Sequence, residues 1–409
     1  MEVIADLHIH SKYSRATSKQ LDIANLEKWA RIKGINLLGT GDFTHPIWIK
    51  ELKECLQEDG TGILKTKTGM PFMLQTEISL IYTDLGKGRR VHLVILAPDF
   101  SVVDQISEYF GKRGRLDYDG RPIFKIPCNE VAESLTNISK DIEIIPAHIW
   151  TPWFSLFGSM SGFDSIKDCF KDQVKHIHAL ETGLSSDPPM NWRLSTLDKF
   201  SLVSSSDAHS FWPWRIGREA TIFDIPQLTY RNLINALRSG NGLHSTIEVD
   251  PAYGKYHFDG HRNCAVCMSP QQSKDHNKLC PKCGKLMTIG VDHRVEELAD
   301  SDLGFTPPNA KPYVHLIPLS EIISKICGVA VSSKKVWAVF NALIKEFHNE
   351  LAVLQKVPLA DLGKVVDEKC AEAIIQNRAG QIKVKPGYDG EYGIPLLGSA
   401  QQKGLLEFT

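Results

Sequence analysis

The chain has 409 residues, 42% of them hydrophobic and 23% charged, which is the balance of a folded protein of two or three domains and excludes wholesale disorder. A formal net charge of −1 excludes a globally basic nucleic-acid binder, although GKGRR (86–90) and GKRGR (111–115) are locally basic. No run approaches eighteen consecutive apolar residues, and MEVIADLHIH lacks the basic and apolar regions of a secretory leader, so no membrane contact and a cytoplasmic, nucleoid-associated location are expected.

Residues 1–250 alternate short apolar strands with helical stretches, the pattern of an α/β arrangement around a parallel sheet. The candidate strands are EVIADL (2–7), INLLGT (35–40), FMLQTEISLI (72–81), VHLVILA (91–97), IEIIPA (142–147), HIHALET (176–182), FSLVSS (200–205) and EATIFD (219–224). Seven or eight such strands fit a barrel better than an open sheet. Between the first two, Ile23, Leu26 and Ala30 recur at helical spacing and Gly34 supplies a stop. Residues 251–300 are polar and hold the paired cysteines. Residues 301–385 form a further domain, opening on a linker (301–318) and helical from Glu321. Val336, Val339, Phe340, Leu343, Phe347, Leu351 and Leu354 give it one apolar helix face. The tail, 386–409, is loop-like.

Metal-ligating side chains gather where the strands end. His8 and His10, two positions apart on an extended strand, point to one side and can meet one ion. Asp42 and His45 follow the second strand, Glu77 and His92 lie on the third and fourth, and His148 follows the fifth. Glu181 ends the sixth, and Asp207 and His209 follow the seventh. In parallel α/β folds the carboxyl ends of the strands form the active-site face. Ions held there lower the pKa of bound water toward ~7 and neutralise charge growing on a phosphate. Neither a P-loop nor a G-x-S-x-G elbow is present, which argues against nucleotide-triphosphatase and serine-hydrolase chemistry.

Nine cysteines are an odd count for a disulfide framework. Cys264-x2-Cys267 and Cys280-x2-Cys283, with twelve residues between the pairs, supply four thiolates for one structural zinc. His257, His261, Arg262, Lys274, Lys278, Lys282 and Lys285 make this module locally basic and favour DNA contact. Aromatic residues crowd the loops after ligand strands: Trp150, Trp153 and Phe154 after His148, Trp192 in a second loop, and Phe211, Trp212 and Trp214 after Asp207. Such residues suit stacking walls for an extruded base.

The H-x-H, the glutamate of the third strand, the single later histidines and the final D-x-H resemble the polymerase and histidinol phosphatase (PHP) superfamily over about residues 1–225. The resemblance implies a distorted β/α barrel holding up to three divalent ions (Zn, Mg or Mn), here with a zinc-ribbon-like module and a helical C-terminal domain. It implies that His8, His10, Glu77 and Asp207 hold one ion, and that Glu77 bridges to a second shared with His92 and His148. His209 serves the third. The family's T-D-H motif here reads Gly41-Asp42-Phe43-Thr44-His45, which leaves Asp42 or His45 to complete that third site. His8, Glu77 and Asp207 carry the catalytic burden on this reading.

GDFTHP, HIWTPWFSLFG and SSDAHSFWP, together with the cysteine module and helical tail, resemble the endonuclease Q family over nearly the whole chain. That resemblance implies metal-dependent nicking of DNA on the 5′ side of uracil, hypoxanthine, xanthine or abasic sites, in archaeal or bacterial repair. Gln402-x2-Leu405-x2-Phe408 fits the short peptide that docks on the sliding clamp, PCNA. The alternatives are a small-molecule phosphatase of the same superfamily and a noncatalytic DNA-binding or clamp-tethered module.

Overall fold

A computed structural model describes residues 1–397. Gln402, Leu405 and Phe408, and with them the clamp-docking peptide, lie outside the described residues. In chain order the strands are β1 (Glu2–Asp6), β2 (Leu37–Gly39), β3 (Leu64–Lys65), β4 (Pro71–Asp84), β5 (Lys87–Ala97), β6 (Ile123–Phe124), β7 (Glu143–Pro146), β8 (Ala179–Glu181), β9 (Ser201–Val203), β10 (Ala220–Asp224), β11 (Leu243–Glu248), β12 (Asp259–His261), β13 (Val266–Met268), β14 (Tyr313–His315), β15 (Lys383–Lys385) and β16 (Ile394–Leu396).

β1, β2 and β4 are parallel neighbours; β5 returns antiparallel to β4, and β7 is antiparallel to β5. β8 and β9 form a separate parallel pair. The circle is drawn together by the Ile149 N–H, which donates to the Glu181 carbonyl at 3.0 Å, and by a parallel bridge between Ile9 and Ala208. The result is a distorted β/α barrel of the PHP type, from which β10, β11 and β14 extend beyond β1. The sheet is mixed rather than parallel because Leu85 and Gly86, at φ 52° and 72°, make a two-residue turn. A turn that tight joins only antiparallel strands.

The two-residue strand period sorts side chains into two apolar layers. Val3, Ala5, Leu37, Met73, Val94, Leu96 and Ile145 pack inside the barrel, whereas Ile4, Leu38, Phe72, Leu74, Leu93 and Ile95 face the surrounding helices. By the same period Glu77 follows Met73 onto the inner face, and His92 precedes Val94 there. The barrel therefore changes from apolar floor to ligand-bearing mouth along one strand pair.

The C-terminal part is helical, with helices at Leu319–Cys327, Lys334–Phe347, Glu350–Gln355, Leu359–Leu362 and Glu368–Arg378. The expected apolar face from Val336 to Leu354 is split between two helices, because His348 turns left-handed at φ 72° and Asn349 accepts the Ala352 N–H at 2.8 Å as a new N-cap. The segment read as a linker carries β14, and the tail pairs β16 with β15 and folds back, Gly387 N–H donating to the Ala252 carbonyl at 2.9 Å. One buried ion pair joins this part to the barrel. Lys33, which ends the helix Ile23–Lys33, donates to Glu350 at 2.8 Å and to the Pro213 carbonyl at 2.9 Å. Among the described residues no helix is long and apolar enough to cross a membrane.

Candidate metal centre

The barrel mouth brings His8, His10, Glu77 and Asp207 into one group and Glu77, His92 and His148 into a second. Glu77 belongs to both, one oxygen to each. Its Oε2 lies 3.2 Å from His10 Nε2 and 3.6 Å from His8 Nε2, while its Oε1 lies 2.7 Å from His92 Nδ1 and 3.3 Å from His148 Nε2. Asp207 Oδ1 closes the first group, 3.0 Å from His10 Nε2 and 3.6 Å from His8 Nε2. His92 lies within the antiparallel β5 and Glu77 within β4, so neither shares the carboxyl-end placement of His8, His10, His148 and Asp207.

The ligand atoms are held from behind. Both oxygens of Glu181 lie 3.0 Å from His8 Nδ1, and one of them accepts the His148 N–H at 2.8 Å. Asp42 stands behind His10, 3.1 Å from Nδ1, and its other oxygen accepts from the Ser11 N–H, Ser11 hydroxyl and Ser14 hydroxyl. Carboxylates of this kind fix the imidazole tautomer so that the opposite nitrogen faces a metal. Asp42, His148 and Asp207 all adopt left-handed backbone, at φ 47°, 31° and 47°, the strained geometry that persists where function demands it.

The electrostatics are those of a centre built for cations. Burial works against the Glu77 and Asp207 carboxylates, yet the neighbouring imidazoles, with Arg121 beside Glu77, hold both well below the usual range. Burial likewise works against imidazolium at His8 and His10, but the surrounding carboxylates raise both well above the ordinary value. For His92 burial wins, and its pKa falls to about 4. His8 Nε2, wholly buried, has no hydrogen-bond partner and faces Glu77 and Asp207. An orphaned imidazole nitrogen aimed at two carboxylates fits a divalent ion.

Neither residue offered for a third ion joins these groups. Asp42 is spent on His10. His45 stacks on Tyr13, ring centres 4.4 Å apart, at the start of the helix Trp48–Cys55. His209 flanks the first group, its ring 4.5 Å from that of His10.

The cysteine module departs from four thiols. His261, Cys264, Cys280 and Cys283 come together, with His261 Nδ1 3.5 Å from Cys283 Sγ, and Cys267 stays outside. The register explains this. β12 pairs with β13 so that Gly260 opposes Cys267 and His261 opposes Val266, which puts Cys267 on the other face of the hairpin from His261. Burial pushes the Cys267 thiol up to about 11. Burial also opposes the Cys280 thiolate, but N–H groups of Lys282 and Cys283 pointing at its sulfur bring it down to about 7.

The loop tryptophans differ in burial: Trp150 is enclosed, Trp153, Trp192 and Trp214 are half-buried, and Trp212 is exposed. Trp150 is fully buried and donates to Asn191 at 2.8 Å; Trp192 packs on Tyr313. Trp212 and Trp214 stack on each other and against Trp337 of the helix Lys334–Phe347. Trp153 meets Tyr256, and Phe154 alone lies against a ligand, its ring 4.7 Å from that of His92. Two polar residues have roles that no sequence motif marks. Glu181 was visible only as a strand end, and Arg121, which donates to Glu77 Oε2 at 3.1 Å, sits in a loop without a motif.

A family model described as the MJ0043 C-terminal domain matches residues 318–381. The chain is 30% identical to the uncharacterized protein YqxK of Bacillus subtilis, over 96% of this chain and 98% of that one. It is 35% identical over 249 residues to the uncharacterized protein MJ0043 of Methanocaldococcus jannaschii, covering 60% of this chain but only 31% of that longer protein. Among solved structures it resembles the lesion-specific endonuclease PfuEndoQ of Pyrococcus furiosus, with TM-score 0.88 and 33% identity over 98% of this chain and 97% of that one. It resembles equally an endonuclease Q bound to a 27-mer duplex with an abasic lesion at its active site, with TM-score 0.88 and 34% identity over 98% of each chain.

Proposed function

The chain belongs to the endonuclease Q family, and from that membership we propose that it nicks damaged DNA, hydrolysing the phosphodiester on the 5′ side of abasic, uracil, hypoxanthine or xanthine nucleotides. The observation that carries this reading is the shared Glu77 carboxylate, one oxygen in each of two ligand groups at a barrel mouth. Divalent ions held there would supply hydroxide at neutral pH and neutralise charge on the phosphate. His8, His10 and Asp207 would hold the first, His92 and His148 the second, with Glu181 and Asp42 keeping the imidazoles aimed. Residues 1–250 form the catalytic domain on this reading, with the module 251–300 and the helical residues 301–385 as DNA-binding additions.

Ions cannot tell uracil from thymine, so base selection requires a contact with the base itself. Phe154 supports such a contact, since it is half-buried beside His92 and follows a ligand loop. Stacking returns about 1–3 kcal/mol per base. Phe154→Ala is therefore expected to slow nicking of uracil-containing duplex roughly ten- to hundredfold and to spare an abasic site, which has no base to stack. Equal loss on both substrates in single-turnover assays would exclude stacking. Failure of the wild-type protein to nick either duplex with Mg, Mn or Zn would remove the nuclease reading itself.

The four-ligand module is read as a structural zinc site of His261, Cys264, Cys280 and Cys283. Cys280→Ser is expected to lower zinc by about one ion per chain, while Cys267→Ser leaves it unchanged. Equal zinc loss in both variants, measured by elemental analysis, would restore the four-cysteine set.

A further inference from the structure

Arg121 is the one cationic side chain, apart from the histidines, that touches the candidate metal centre among the described residues. Its guanidinium donates to Glu77 Oε2, the oxygen that also faces His8 and His10. The side chain is only 25% exposed. Its position is not that of a loose surface arginine, because the loop beneath it is fastened on both sides. Gly120 N–H donates to the Tyr13 carbonyl at 3.0 Å, and Asp119 accepts the N–H groups of Arg15 at 3.2 Å and Arg121 at 3.1 Å. On the other side the Pro122 carbonyl accepts the Ser79 N–H at 3.0 Å, where β6 joins β4 two residues beyond Glu77. Gly120 itself is pressed into the centre. A Cβ there would stand 2.3 Å from Asp42 Oδ2 and 2.5 Å from Ser14 Oγ, so no side chain fits without displacing the group behind His10. The tightness of that seat serves to deliver the next side chain.

We propose that Arg121 is a catalytic residue that binds the non-bridging oxygens of the scissile phosphodiester and steadies the charge that grows on them. The inference rests on the hydrolytic reading of the site. A guanidinium carries five N–H donors in a planar fork suited to phosphate oxygens, and the contact with Glu77 uses one. In the hydrolysis a water oxygen bonds to phosphorus and the bond from phosphorus to the leaving sugar oxygen breaks. One water proton goes to the leaving oxygen and the other to solvent. Arg121 gives up no proton; it acts by charge and by placement.

The test compares Arg121→Met, Arg121→Gln and Arg121→Lys with wild type in the full chain loaded with manganese. Single-turnover rates are read on an abasic-site duplex and on bis(4-nitrophenyl) phosphate, with metal content and melting temperature beside them. Removing one such donor costs about 10²–10³ in rate. The methionine and glutamine variants are expected to lose that much on both substrates at unchanged metal content. The lysine variant should fall between, and added guanidinium should restore part of the loss in the methionine variant. Rates within threefold of wild type overturn the proposal, as does a loss of activity that tracks lost metal or resists guanidinium. Hydrolysis of the dye ester without nicking of DNA by wild type defeats the DNA reading and leaves the Arg121 comparison intact.

Discussion

Glu77→Gln is expected to abolish nicking and to deplete metal at both positions, because this one carboxylate serves both ligand groups. Ions at such sites contribute several kcal/mol of transition-state stabilisation, and each 1.36 kcal/mol is tenfold in rate, so a fall of at least about 10³-fold is expected. The fold should survive, since the strands around Glu77 are fixed by the β4–β5 ladder rather than by its charge. Asp207→Asn and His8→Ala, each a member of the first group only, should lose activity of the same order but keep metal at the second. Glu181→Gln, which reaches the metal only through His8 and His148, should cost about 10–100-fold. Single-turnover assays with metal analysis decide the matter. A Glu77→Gln protein that nicks within tenfold of wild type would show that the two groups do not share a catalytic carboxylate.

The second large effect is on stability. Lys33 and Glu350 are about 1% and 0% exposed, and they meet between the barrel and the C-terminal helices. Glu350 also accepts the Leu319 N–H at 2.9 Å, and Lys33 also holds the Pro213 carbonyl. Removing one partner of a buried pair strands the other charge and costs about 3–5 kcal/mol. Glu350→Ala is expected to lower unfolding stability by that amount in urea titrations, with the C-terminal helices released first. The double change Lys33→Met, Glu350→Leu should recover most of it, because packed apolar groups replace a buried pair at little cost. A loss below about 1 kcal/mol for Glu350→Ala, the level of an exposed pair, would contradict the geometry.

The ligand-bearing strands were legible because the strand period acts locally: His8 and His10 share a face whatever surrounds them. The barrel was legible from the alternation of strands and helices. What escaped was set by contacts distant in sequence. Nothing near Leu85-Gly86 marks β5 as antiparallel except the turn itself, so the direction from which His92 enters the site was not legible. Trp212 and Trp214 follow a ligand motif in the chain, but Trp337, more than a hundred residues away, takes them into a packed cluster. His261 was counted as one of many basic residues, since its pairing across the hairpin cannot be read from a C-x2-C spacing. Arg121 follows Asp-Gly in an ordinary-looking loop, and only the close seat of Gly120 against Asp42 shows where it is sent.

The β4–β5 hairpin also sets a timetable for assembly. Glu77 and His92 lie 15 positions apart (77 to 92) on adjacent strands, whereas His10 and Asp207 meet across 197 positions. Closing the longer loop costs roughly 2 kcal/mol more in chain entropy. On a ribosome adding about 5–20 residues per second, Asp207 is made roughly 6–23 seconds after His92. A nascent chain thus carries two of the three ligands of one group on a local hairpin while the other group still lacks Asp207.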